Sequence, residues 1–111
     1  MDGVTNLTAI LEQEVAWYAN VKGWKAKSHY IEDEKHQIFT VIAVPEKDHP
    51  MLKRPGITVM ARIVGDNVII DEDKTDRPLY EALIEAGIPR EKIIAAYAGE
   101  KLPDENQTPL P

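Results

Sequence analysis

The sequence predicts an α+β fold, an antiparallel sheet of four to five strands in two consecutive hairpins, covered by an N-terminal helix and a capped C-terminal helix. Three observations carry this. Strand-like runs follow one another, joined by polar turns and one longer loop with no helical crossover, at 24–31, 37–44, 57–64 and 68–70. A helical apolar period lies before the first run and another after the last. Gly87 and Pro89 stand where the second helix must stop.

Asn6 or Thr5 opens the first helix, in which Leu7, Ile10, Leu11, Val15 and Tyr18 keep helical spacing while Glu12, Gln13 and Glu14 cover the other side. Asn20 to Gly23 ends it. In the next run Trp24, Ala26, Ser28 and Tyr30 alternate with Lys25, Lys27 and His29, the pattern of a half-buried strand. Its lysines mark an edge, where charge discourages pairing with another sheet. Asp33-Glu34-Lys35 turns the chain into Gln37–Val44, apolar on both faces and so a central strand. Pro45 cannot donate to a ladder, and the charged segment from Pro45 to Pro55 is expected to be a solvated loop. Ile57, Val59, Ala61 and Ile63 then share one face of a third strand, which Gly65-Asp66-Asn67 turns into Val68-Ile69-Ile70.

Asp71 to Asp76 reads as an acidic connection that complements the dipole of the helix after it. Asp76 or Thr75 is expected to supply the N-cap oxygen, and Pro78 fits the first helical turn. Leu79, Ala82, Leu83 and Ala86 give this helix its apolar face, and Gly87 takes the left-handed position beyond its end. Pro89 to Lys92 resembles a single helical turn, and Ile93 to Tyr97 is apolar enough to add a last short strand. One domain over 1–98 with a polar, proline-rich tail over 99–111 is the expected organisation, the tail having little to bury.

Composition narrows the function classes. With 13 Lys and Arg against 19 Asp and Glu, the net charge of −6 argues against unaided binding to phosphate backbones and favours a protein partner. There is no cysteine, so disulfide and thiolate chemistry are excluded. No apolar run approaches the ~20 residues of a membrane span, and Met1-Asp2-Gly3 lacks a signal-peptide pattern, so the cytoplasm is the expected location. The six glycines are isolated and form no phosphate-cradling loop. Ser28, the one serine, lies mid-strand without a nucleophile elbow, and His29, His36 and His49 lack metal-ligand spacing. No catalytic residue, cofactor or metal site is expected, and the glutamate pairs Glu12/Glu14 and Glu81/Glu85 read as solvated helix faces. The candidates for partner contact are Trp24, the basic pair Lys53 and Arg54, and Arg62, whose charge amid an apolar strand must reach a carboxylate or open surface. Trp17 and Trp24 are read as core or sheet-cover residues ahead of interface anchors. Self-association through an edge strand or the Trp24 face is a further expectation, drawn from the apolar content of so short a sheet.

The segment Val68-Ile69-Ile70-Asp71-Glu72-Asp73-Lys74-Thr75-Asp76, followed by Leu83-Ile84-Glu85-Ala86-Gly87-Ile88-Pro89-Arg90-Glu91-Lys92-Ile93-Ile94, resembles the XisI family, the fdxN element excision controlling factor proteins of cyanobacteria. Ala86-Gly87-Ile88-Pro89 and Ile93-Ile94 are the specific part, and the early helix and two hairpins fit over essentially the whole chain. It departs in having Thr75-Asp76 where the family commonly shows Thr-Glu, and Ala96-Tyr97-Ala98-Gly99 where the family has a Gly-Phe-His-Pro-Pro-like stretch. The resemblance implies a non-enzymatic accessory factor in site-specific DNA rearrangement, working with a recombinase and a second factor of the XisH type. The alternative from the residues is an acidic antitoxin- or immunity-type partner that masks a nuclease encoded nearby.

Overall fold

A computed structural model describes residues 7–20 and 25–102. Helix α1 (Leu7–Trp17) buries Leu7, Leu11 and Val15 on one stripe and runs into a 3₁₀ turn at Tyr18–Asn20. Strands β1 (Ala26–Asp33), β2 (Ile38–Pro45), β3 (Gly56–Val64) and β4 (Asn67–Asp73) follow as an antiparallel meander. Helix α2 (Leu79–Glu85) then leads through a 3₁₀ turn at Arg90–Lys92 to β5 (Ile93–Ala95). The sheet order is β1-β2-β3-β4-β5, so β1 is an edge and β2 is internal, as their side-chain patterns predict. Phe39, Val41, Val59, Ala61, Val68 and Ile70 form one face of the sheet and pack in a single core with Leu11, Val15, Leu79 and Leu83 of the helices. Both helices therefore lie on the same side of the sheet.

The strands and the α2 face differ from the sequence expectation at five points. β5 pairs with β4 in parallel, because α2 carries the chain back along the sheet before Ile93. β4 runs on through Asp71, Glu72 and Asp73, which the sequence reads as connection. The register steps from Met60↔Glu72 to Ala61↔Ile70 and leaves Asp71 as an extra residue, a β-bulge. Strict alternation would put Asp73 on the face of Ile69, away from the helices; the extra residue returns it to the helix side, opposite Val59. A second step, from Val41↔Val59 to Ile42↔Ile57, separates Ile57 from the core face it was expected to share, and leaves it 38% exposed. Ala86 is exposed, so the apolar face of α2 is Leu79, Ala82 and Leu83.

The bulge at Asp71 decides how α2 begins. Its N-cap residue is Pro78, which has no side-chain oxygen to offer, and neither Thr75 nor Asp76 takes that role. Asp73 does it from the strand: Oδ2 accepts the Leu79 amide at 2.8 Å and Oδ1 the Thr75 amide at 2.9 Å. The other end behaves as read. Gly87 has φ 113°, its amide donates to Ile84 O at 3.0 Å, and the Ile88 amide donates to Leu83 O at 3.0 Å while the Ile88 side chain is buried. This is the paired-bond stop that needs a residue at positive φ. A Cβ on Gly87 would meet nothing within 4 Å, so the effect of Gly87→Ala is purely conformational. A loss of about 1 kcal/mol in unfolding free energy is expected by urea titration; an unchanged midpoint would remove the C′ assignment.

The residues just past β5 are better held than a polar tail requires. Glu100 accepts the Ala95 amide at 2.8 Å, its own amide donates to Ala95 O at 3.2 Å, and its carboxylate meets Arg90 at 2.5 Å. The Ala95 amide first, and Arg90 second, hold the Glu100 carboxyl below its ordinary value. A lowered folded pKa means that the stabilisation is complete above the unfolded value of 4.5 and is lost as pH falls through the folded one. The Ala95 amide should thus show hydrogen-exchange protection that is steady near neutrality and falls in acid. In Glu100→Gln that protection should be lower and nearly independent of pH; acid-insensitive protection in the parent chain would refute the assignment. The rest of the tail, 103–111, lies outside the described residues.

Candidate functional site

An open cleft of about 490 Å³ lies on the helix side of the sheet, beyond the end of α1. Trp17 and Tyr18 form one wall, Ala26, Ser28 and Ala43 the floor, His49, Met51 and Leu52 a second wall, and the segment from Lys74 to Arg77 a third. Its size falls in the range of ligand sites, and it is open on one side.

Arg77 organises the third wall. Its guanidinium carbon lies 4.1 Å from the Trp17 ring centroid and 5.4 Å from that of Tyr18, while Nη2 donates to Glu14 Oε1 at 2.8 Å. The Tyr18 hydroxyl donates to the Arg77 carbonyl, and the Thr75 hydroxyl, 2.8 Å from that same oxygen, lies 2.6 Å from Asp73 Oδ1. Burial works against the charge on Arg77, but the hydrogen bond to Glu14 and then the electrostatic interaction with Tyr18 outweigh it and raise its pKa; burial foremost raises that of Tyr18. Asp73 thus fixes the start of α2 and, through Thr75, the loop that carries Arg77. Trp17 is 45% exposed with a cation on its face, where the sequence reads it as core or sheet cover.

The loop between β2 and β3 is anchored where solvation alone was expected. His49 is 2% exposed, and its Nδ1 accepts the amides of Met51 at 3.0 Å and Leu52 at 2.8 Å. An acceptor at Nδ1 places the ring proton of the neutral imidazole on Nε2.

The residues read as partner contacts do not converge. Lys53 and Arg54 are exposed near the end of this loop, Lys53 Nζ reaching His49 O at 3.4 Å. Arg62 pairs with Ile38 at the opposite end of β2 and, like Ile69 to which it also pairs, faces away from the helices. There it meets Asp71 through Nε at 2.7 Å and Nη2 at 3.4 Å, the carboxylate its position demands. Trp24 lies outside the described residues. Sequence reasoning missed Arg77, Asp73 and His49; the only local signal was Asp73 and Thr75 lying before a helix start, which points to a cap without saying which oxygen makes it. Among the described residues no group of three or more His, Asp or Glu is placed to hold a metal ion, and no helix is long and apolar enough to cross a membrane.

Four meandering strands and a parallel fifth, with two helices on one face and a cleft at their end, define a small two-layer α+β protein. The family model described as XisI protein matches residues 1–105, and the chain belongs to that family. The fold is shared with an XisI-like protein from Anabaena variabilis ATCC 29413, at a TM-score of 0.71 and 18% identity over 95% of this chain and 94% of that one. It is shared equally with the fdxN element excision controlling factor XisI from the same organism, at a TM-score of 0.69 and 19% identity over 94% of this chain and 98% of the other. No curated protein matches the sequence.

Proposed function

We propose that this chain is a non-enzymatic controlling factor for excision of a DNA element of the fdxN kind, acting by gripping a protein partner. Membership of the XisI family over residues 1–105 carries the reading. The net charge of −6 supports a protein surface over the phosphate backbone as the thing bound, since unaided DNA affinity comes from clustered cations. The cleft bordered by Trp17, Met51, Leu52 and Arg77 supports it too, offering apolar and cationic contact side by side. The partner proposed is a factor of the XisH type.

The test has two arms. Deleting the gene should abolish excision of the element, read by amplification across the rejoined junction, and the tagged chain should retain the XisH-type factor from extracts. Excision at the normal frequency in the deletion strain would overturn the reading, as would tight binding of the isolated chain to duplex DNA at physiological salt. Retention instead of a nuclease whose toxicity the chain relieves would replace it with the neutralising role that the acidity also fits.

A further inference from the structure

The two edges of the sheet are finished differently. β5 is three residues long, and the end of its outer side is occupied by Glu100, which bonds both the amide and the carbonyl of Ala95. β1 has eight residues, contains neither Pro nor Gly, and pairs with β2 from Ala26↔Pro45 to Asp33↔Ile38 without a bulge. Among the described residues no segment hydrogen-bonds to its outer side. A long regular edge is a template for another strand, and proteins usually blunt it with a bulge, a proline or charge. Here only charge is present, and it is sorted by sign: Lys25 and Lys27 at the beginning, Glu32, Asp33 and Glu34 at the end.

That sorting makes the strand self-complementary in one orientation. Antiparallel pairing about Tyr30 sets Tyr30 against itself, His29 against Ile31, Ser28 against Glu32, and Lys27 against Asp33 of the other copy. Twofold symmetry makes each unlike pair twice. This register keeps seven residues of the eight-residue strand in the overlap. A parallel alignment in register puts Lys27 on Lys27 and Asp33 on Asp33. The lysines that repel other edges thus select this one. Asp33 keeps accepting capacity for the contact: it bonds His36 Nδ1 at 2.7 Å, yet its side chain is 47% exposed. Ile31, 46% exposed, would be covered by the added strand. We propose that β1 pairs antiparallel with β1 of a second copy of this chain, with Lys27 opposite Asp33, joining two sheets into one of ten strands. The inference is independent of the excision role.

Sedimentation equilibrium on the full chain should show a dimer that weakens with added salt. Lys27→Glu should weaken it more than about tenfold, because each unlike pair becomes a like one, and adding Asp33→Lys should restore it. Since Asp33 also holds the turn through His36, a second measurement uses the unaltered chain. Carbodiimide coupling of a mixture of ¹⁴N- and ¹⁵N-labelled protein should yield mixed-isotope Lys27–Asp33 cross-linked peptides. A monomer at all concentrations, a dimer indifferent to Lys27→Glu, or a dimer without that cross-link would each overturn the proposal.

Discussion

Phe39→Ala is expected to lower the unfolding free energy by about 3–5 kcal/mol, the largest effect of any single change considered. The ring is fully buried, on the helix-bearing face of β2, directly opposite Ala61 of β3. The small partner is what makes room for it. Truncation leaves a void bordered by strand backbones that are hydrogen-bonded on both sides, so the site has little freedom to collapse. Domains of this size have a total stability of about 5–15 kcal/mol, so the variant should retain only a fraction of its margin or fail to fold. Urea denaturation followed by tryptophan fluorescence measures it, with Ile84→Ala, 38% exposed on α2, as a control expected to change by less than about 0.5 kcal/mol. A Phe39→Ala loss below about 1 kcal/mol would mean that the core is not centred on β2.

Asp73→Ala comes second, at about 2–3 kcal/mol. Its two carboxylate oxygens accept the Leu79 and Thr75 amides and lie within reach of the Thr75 hydroxyl, so removing it strands donors at the start of α2 and in the Arg77 loop together. Loss of an ordinary cap costs about 1 kcal/mol, and a further partly buried unmet donor a similar amount. Asp73→Asn should lie between, because its amide oxygen can still accept on one side. Asp76→Ala should change little, since Asp76 is exposed and takes no part in the cap. Amide exchange at Leu79 and Thr75 should accelerate in Asp73→Ala alone. Equal destabilisation by the two alanine variants would return the cap to the residue that sequence position favours.

The contrast between Asp73 and Asp76 shows how far local pattern reaches. A Ser, Thr, Asp or Asn at the residue flanking the first helical turn is the usual cap, and a search for one just before Pro78 favours Asp76 or Thr75. The rule fails because β4 continues past Ile70 and one bulge turns Asp73 toward the helix, an event set by pairing with β3. Arg77 is a second case. Its partners Trp17 and Glu14 are some sixty positions earlier in the chain, and nothing about Asp76-Arg77-Pro78 announces them. Arg62 lies between the extremes: a lone cation in an apolar strand demands a carboxylate, and Asp71, nine positions on, is close in space because the hairpin brings the two strands side by side.

What the amino-acid order determined by itself was the part set by neighbours a few residues apart along one helix, strand or turn. The stripe of α1, the alternation of β1, the stop at Gly87 and the α+β class all follow from steric and hydrophobic periods a few residues long. The tertiary structure alone decided the two bulges, the parallel direction of β5, the burial of His49, and the joining of Arg77 to Trp17 and Glu14. Those depend on which strand edges and side chains meet when the elements pack together, and the free energy of such meetings is a property of the packed whole.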